Sequence, residues 1–446
     1  MATTTSHAPT STAPRRRASA GGVARVFAPL IARLDARSPQ PRGFALRFWD
    51  GSELPAAPGA PDPPALIFRS PDALVAIIRA PGELGFSRAW VSGTLDVDGD
   101  LERAFTLTEG LRHVRPQAGD ALRALRVVRR LGLLRRPVPE PPSCEARLQG
   151  RRHSRARDRD AITHHYDVSN DFYRRMLGPT MVYSCAYFAS ASESLDDAQM
   201  RKLDLICRKL ELREGERLLD IGCGWGSLLI HAAREYGVRG VGVTVSEAQA
   251  ELARERVRQA GLQDRLEIRL QDYRETQDGP YDKIASIGMF EHVGAENLAL
   301  YLEHTHALLR PDGLFLNHGI VRPRPQPMNP DSFTIRYVFP DGELHTQGTV
   351  IQAYEAAGFE LRDDESIRMH YAQTLRCWAR NLDAHREEAI AEIGPERERV
   401  WRLHNVGAAI GFERGGLSVH QALLAPLEGA ASAPLRQRSY TANVPG

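Results

Sequence analysis

The segment Asp220-Ile221-Gly222-Cys223-Gly224-Trp225-Gly226 constrains the fold more than any other part of the chain. It follows the apolar run RLLDIG and precedes LLIHAAREYG, so it sits where a strand turns into a helix. Glycines at such a junction let the backbone approach a ligand closely, and the helix N-terminus that follows favours electronegative groups. Around it the pattern alternates. A helix is expected over Met200–Leu210, then the strand RLLDIG, the helix LLIHAAREYG, the strand GVGVTV, a helix over Ala248–Ala260, and strands at LEIRL, KIASIG and LFLNHGI. Strand-helix-strand order predicts an open, mostly parallel α/β sheet with helices on both faces. A helix-rich stretch from Tyr371 to about Leu424 closes the chain.

Before this region, FALRFW, ALIFR and AWVSGTLDV read as short strands separated by Pro/Gly turns such as ELPAAPGAPDPP. They predict a small α+β domain over residues 23–118. Residues 119–160 form a basic connection. In it, Leu122, Leu125, Val128 and Leu133 alternate with arginines between Ala121 and Arg136, which predicts an amphipathic helix. A second basic run, Arg147–Arg159, then leads as a linker into a domain over residues 161–446. Residues 1–22 read as a disordered basic arm, although their Ser, Thr, Ala and Arg content and lack of acids also fit a transit peptide. The formal charge of +2 conceals these Arg-rich patches.

No stretch approaches the roughly 20 apolar residues of a membrane span, and the N-terminus lacks the apolar region of a secretory signal, so a cytoplasmic enzyme is expected. Cys144, Cys185, Cys207, Cys223 and Cys377 show no paired spacing, which points to thiols rather than disulfides or zinc. His304 and His306 read as helix-surface residues, and no metal site is expected. A dinucleotide fingerprint would need glycine where Ser227 stands and an acid where Thr244 and Ser246 end the next strand, so NAD is disfavoured.

The D-x-G-x-G-x-G spacing resembles instead the first motif of class I methyltransferases, with Asp272-Tyr273 after LEIRL at a position that commonly faces adenine. The resemblance then narrows. HYDVSNDFY (His165–Tyr173), MVYSCAYF (Met181–Phe188), LDIGCGWG, GVTVSEAQ, MFEHVG (Met289–Gly294), FPDGEL and HYAQTLRCW (His370–Trp378) together look like the cyclopropane-fatty-acyl-phospholipid synthase family. The similarity is strong from about Ala161 onward and reaches weakly into the N-terminal domain through GELGFSRAWVSGTLDVDGDLE.

The family implies a site, carried over position by position. Tyr166, Tyr183 and Ser184 would help enclose S-adenosylmethionine above Asp220, Gly222, Gly224 and Gly226. Thr244 and Gln249 would lie near its ribose or amino-acid portion, and Asp272 and Tyr273 near its adenine. Cys185, Glu291, His318, a main-chain group of Ile320, and Tyr371 would hold bicarbonate as the base. Taken alone, Cys185 reads as a small buried residue and His318 as a satisfied core histidine; only the joint pattern makes them catalytic. The implied acceptor is an unsaturated acyl chain of a membrane phospholipid, reached through peripheral contact by the Arg-rich segments. Nucleic acid is not an expected partner, and a homo-oligomer stays open. A cyclopropane is the leading product and a mid-chain methylene branch the alternative. A small-molecule N- or O-methyltransferase and a silent lipid-binding protein are the readings from other classes; the intact glycine loop argues against silence.

Overall fold

The structure, a computed structural model, describes residues 21–38, 42–60, 62–109, 117–147, 149–154, 157–158, 161, 168–326 and 329–432. The expected basic arm, apart from Gly21 and Gly22, lies outside these residues. The chain divides into two compact units, one from Met1–Ala80 and Arg88–Glu140, the other from Pro81–Ser87 and Pro141–Gly446.

The first unit contains α1 (Gly22–Asp35), β1 (Ala45–Phe48), β2 (Glu53–Leu54), β3 (Ala65–Phe68) and α2 (Pro71–Arg79). After these come α3 (Glu83–Val91), whose first turn counts with the second unit, β4 (Leu95–Asp98), α4 (Leu101–Glu109) and α5 (Ala118–Arg130). Its sheet runs β2-β1-β3-β4, with β1 and β3 parallel and the outer pairs antiparallel. The expected strand AWVSGTLDV is only half a strand, because Ala89–Val91 finish α3 and the turn at Gly93 precedes β4.

The basic helix also differs from expectation. It starts three residues earlier and stops at Arg130, since Gly132 takes φ +65° and a 3-10 turn, Leu133–Arg135, follows. It is part of the first unit rather than a connection. Leu133 is buried with Phe44, Phe48 and Phe68, Val128 packs against the same cluster, and Asp120 takes ion pairs from Arg33 and Arg37 of the α1 segment at 2.7 and 2.6 Å. The division therefore falls after Glu140, separating the two basic runs that residues 119–160 had joined.

The second unit carries α6 (Asn170–Leu177), α7 (Leu195–Lys209), β5 (Arg217–Ile221), α8 (Ser227–Tyr236), β6 (Arg239–Thr244), α9 (Glu247–Gln259), β7 (Leu266–Leu270), β8 (Tyr281–Ile287), α10 (Leu298–Leu308), β9 (Leu309–Val321), α11 (Gln347–Ala356), β10 (Phe359–Ser366), α12 (Arg368–Ala384), α13 (Arg386–Glu413, broken at Gly394-Pro395) and β11 (Ser418–Pro426). The sheet order is β10-β11-β9-β8-β5-β6-β7. From β9 to β7 all neighbours are parallel; β11 is antiparallel to both β9 and β10. This is the open, mostly parallel α/β sheet expected from the alternation, and the architecture that the class I methyltransferase resemblance implies. The antiparallel pair β10 and β11 is new: Ser418–Leu424 belongs to a strand, not to the terminal helices.

Local sequence explains the tight centre. A Cβ at Gly240 or Gly242 would come within 2.6 or 2.7 Å of Leu229, so the Gly-x-Gly of β6 lets α8 lie close against the sheet. The core on that side gathers Leu218, Leu229, Ala232, Val238, Ala253 and Ile206. On the other side Ile221, Val243, Phe290, Tyr301 and Phe315 pack together.

Candidate active site

A cavity opens at the carboxyl ends of β5, β6, β7 and β8, where open α/β sheets bind ligands. Gly222 and Gly224 follow β5 with φ +78° and +53°, which L side chains rarely adopt. A Cβ on Gly222 would meet Met289 Cγ at 3.0 Å, whereas the space beside Gly224 is open. Of the residues expected to enclose a cofactor, Tyr183, Ser184, Asp220, Gly222, Gly224, Thr244, Gln249, Asp272 and Tyr273 all line this cavity.

Two members of that set stand apart. Tyr166 lies outside the described residues. Gly226 does not line the cavity; it precedes α8 at φ +77°, and a Cβ there would touch Ala253 at 3.4 Å, so its use is helix packing.

The polar walls are built from local bonds. Thr244 Oγ1 donates to Gln249 Oε1 at 2.8 Å, joining the end of β6 to the first turn of α9. Asp272 caps the turn after β7 through the Arg274 amide, and both its oxygens accept from the Arg274 guanidinium at 2.9 and 2.6 Å. The same guanidinium reaches Asp158 at 3.2 Å. Asp158, Arg274 and His292 are lining residues that the sequence did not single out. So is Lys202 of α7, 1% exposed, whose ammonium donates to Ser184 Oγ at 2.8 Å. Burial pushes Asp220 up and Lys202 down, and each charge partly offsets the other's shift. The signal for Lys202 was available. Gln199, Lys202, Leu203 and Ile206 fall on one face of α7, and a lysine on an apolar stripe is rarely buried without a task.

The five residues expected to hold an anion lie outside the cavity's lining. Cys185, Ile320 and Tyr371 share one apolar cluster with Tyr173, Tyr183, Trp225, Trp378 and Trp401. Cys185 Sγ donates to the Ala186 and Ile367 carbonyls, and burial pushes its thiol well up, so it is a neutral group. Glu291, in the turn after β8, accepts from the Ile320 amide of neighbouring β9 at 2.6 Å through Oε1. Its Oε2 is buried with no hydrogen-bond partner among the described residues, and burial pushes the carboxyl up to about 7. His318, two residues before Ile320, is 1% exposed and meets Gln421 of β11 at 3.2 Å; burial, with the Lys202 and Lys209 charges, holds it neutral. The fold thus brings Glu291 to Ile320 and gathers Cys185, Ile320 and Tyr371, but the Ile320 amide is already engaged.

Three arginines of the second basic run are committed elsewhere, while Arg155 and Arg159 lie outside the described residues. Arg157 pairs with Asp341 at 2.5 Å, Arg152 with Glu343 at 2.9 Å, and Arg151 with Glu296 at 3.4 Å, all within the second unit. As for the other surface histidines, His304 Nε2 lies 3.0 Å from the Tyr273 carbonyl and helps hold that turn.

A family model described as mycolic acid cyclopropane synthetase matches residues 153–422. The chain belongs to this family. Relatives of this cyclopropane synthase family member include a "Probable fatty acid methyltransferase Rv3720" of Mycobacterium tuberculosis, 42% identical over 83% of this chain and 89% of that one. The cyclopropane-fatty-acyl-phospholipid synthase of Escherichia coli K12 is 43% identical over 56% of this chain and 63% of its own length. Among solved structures, mycolic acid cyclopropane synthase CmaA1 complexed with SAH and CTAB aligns with a TM-score of 0.57 and 34% identity, covering 60% of this chain and 97% of that one. The chain is accordingly an S-adenosylmethionine-dependent methyltransferase of the kind that modifies fatty acids.

Proposed function

We propose that the enzyme adds a one-carbon unit from S-adenosylmethionine to the cis double bond of an unsaturated phospholipid acyl chain and closes a cyclopropane, with bicarbonate as the base. The observation that carries this reading is the buried Glu291 carboxylate at the ends of β8 and β9, bonded to Ile320 beside an aromatic-walled apolar cluster. An N- or O-methyltransferase acts on an atom with its own lone pair and needs no such wall.

S-adenosylmethionine supplies an electrophilic methyl group. The cavity fits it: open space beside Gly224, an acid and a buried cation at Asp220 and Lys202, and the Thr244–Gln249 and Asp272–Tyr273 walls at successive strand ends. Bicarbonate, when bound, supplies a base for the proton that leaves as the ring closes. The orphaned Glu291 Oε2 fits a ligand that offers an O–H donor, and Tyr371, in one cluster with Ile320, and neutral His318, two residues before Ile320, would be further donors. The Ile320 amide joins that set only if Glu291 Oε1 releases it.

An alkene is a weak nucleophile, so orientation and exclusion of water carry much of the work. Tyr183 lies 5.1 Å from Trp378 and 6.0 Å from Trp401 between ring centroids, and Tyr371 lies 4.7 Å from Phe412. Such π-faces favour the positive charge that develops on the acyl chain and keep water from quenching it. A methylene branch is the second reading, favoured by the fatty acid methyltransferase relative that matches most of this chain. It shares methyl transfer to the alkene and differs in a 1,2-hydride shift to the cationic carbon before the methyl group loses its proton, so that a methylene C=C forms instead of the ring.

Contact with the bilayer belongs to the same proposal. On α5, Leu122 is 60% and Leu125 48% exposed, on a face shared with Arg126 and Arg129, and among the described residues no acid pairs with Arg126, Arg129 or Arg130. Exposed leucines flanked by unpaired arginines suit an anionic lipid surface, at about 1 kcal/mol per basic residue near it. On this reading the enzyme is a peripheral protein of the cytoplasmic face of a membrane.

The test is mass spectrometry of the fatty acids formed from vesicles of a cis-monounsaturated phospholipid with S-adenosylmethionine and bicarbonate. Both products add one CH2, so the new carbon must be located. A cyclopropane supports the proposal and a methylene branch the second reading. Unmodified lipid with cofactor still bound would refute both and favour a small-molecule acceptor.

A further inference from the structure

We infer that Lys202 is a positioning residue for the carboxylate of S-adenosylmethionine, acting through Ser184. An ammonium has three donors and no acceptor, so Ser184 Oγ, 2.8 Å away, must accept from it. The hydroxyl's own proton is thereby turned away from Lys202. Both residues line the cavity, and Ser184 becomes a donor facing its contents. One turn earlier on α7, Gln199 Nε2 donates to the Ser184 main-chain carbonyl at 2.9 Å and to that of Val182 at 3.3 Å. A single helix face therefore fixes Ser184 by backbone and side chain together.

The charge at this spot is out of proportion to a purely structural role. Lys202 is 1% exposed, and among the described residues Ser184 Oγ is its one hydrogen-bond partner, with no carboxylate within 4.0 Å. Two of its donors are therefore left over in a place where an unsatisfied ammonium is costly. Asp220, 3% exposed on the same cavity, is the acid that electrostatically offsets it. A separated acid and base at one end of a cavity match the two charges of an amino acid, and Lys202 with Ser184 takes the anionic one. The inference rests on the cofactor assignment and is independent of the acyl-chain proposal.

The experiment is titration calorimetry of the full chain with S-adenosylhomocysteine and with its decarboxylated analogue, which keeps the adenosine, thioether and amine. Wild-type protein binds the carboxylate-bearing ligand more tightly, by about ten- to a hundredfold, as charge-assisted hydrogen bonds typically give. Lys202→Met removes most of that preference and leaves the analogue within about twofold of its wild-type affinity, the size of a measurement-level difference. Ser184→Ala, which retains the cation, removes part of it, and it answers the question if the Lys202 variant fails to fold. Equal losses for both ligands in either variant, or a wild type that does not prefer the carboxylate, would overturn the inference. Wild-type protein that bound neither ligand would instead overturn the cofactor assignment.

Discussion

Replacing Glu291 by Gln is expected to stabilise the fold at alkaline pH while removing the reaction. Burial pushes the Glu291 carboxyl from 4.5 up to about 7, against the lowering effect of the Ile320 amide. The folded state therefore holds this proton more tightly than the unfolded chain does. Its contribution to stability is fully present below pH 4.5, declines as pH rises and is lost above pH 7. At about 1.4 kcal/mol per pKa unit the whole span is worth ~3 kcal/mol, of which about 2–3 kcal/mol falls between pH 5 and pH 8. Gln does not titrate, and its Oε1 can still accept from the Ile320 amide. The variant should thus nearly match wild type at pH 5 and exceed it at pH 8 by roughly 3–5 °C in thermal midpoint, on the usual per-residue unfolding entropy for a unit of this size. Asp220 also titrates but is present in both proteins, so it cancels. Paired thermal melts at the two pH values provide the assay. The same gap at both, or a less stable variant at pH 8, would refute the account of Glu291 as a buried carboxylate kept at a cost.

Turnover by Glu291→Gln should fall by about a hundredfold or more, the usual scale for loss of a positioned acid–base group, with S-adenosylmethionine affinity nearly unchanged by calorimetry. Gly222→Ala should do the reverse. Its φ of +78° and the 3.0 Å approach to Met289 Cγ cost about 1–2 kcal/mol and shift the loop, so cofactor affinity drops about tenfold while turnover at saturation falls less. Reversing Arg126 and Arg129 together to Glu should abolish sedimentation with anionic vesicles at low salt. Replacing Arg152, already paired with Glu343, should leave it intact; the opposite ranking would move the lipid-facing surface to the second basic run.

The centre of the fold was legible because its signals are local. The run RLLDIG, the glycine loop and GVGVTV each carry their own strand or turn chemistry, and β5, α8 and β6 lie within a residue or two of where those patterns end. The edge was not. β10 reads FELRDDES, in which charged side chains blunt an exposed edge and erase the alternation a strand normally shows. β11 follows two long helices and, as VHQALLAP, has an apolar run too short to distinguish from another helical turn. Spacing predicts the helix Ala118–Arg130 but places its apolar residues on one stripe. Val127, Val128 and Leu133 turn toward the core while Leu122 and Leu125 face outward, a division that depends on what α1 offers rather than on spacing. Likewise, no one-dimensional pattern shows that Arg152 and Arg157 would meet Glu343 and Asp341.

The three consecutive residues Tyr183, Ser184 and Cys185 explain how the cavity and the aromatic cluster share a wall. The segment is irregular and enters through Met181 at φ +53°. Tyr183 lines the cavity and also packs on Trp378 and Trp401, Ser184 takes the Lys202 bond, and Cys185 is sealed among the apolar side chains against the Ile367 carbonyl. A shift of this strip by one residue would put the thiol where the hydroxyl stands and Ala186 where Cys185 fits. That is why Gln199 and Lys202 hold its centre from α7 and why the Ala186 amide is bonded to Thr374 of α12 at 3.0 Å. The buried charges on either side, Lys202 and Asp220 toward the cavity and Glu291 behind Ile320, each reduce stability. On the proposed function, a ligand bearing opposite charge at Lys202 and Asp220, and a matching donor at Glu291, would offset that cost.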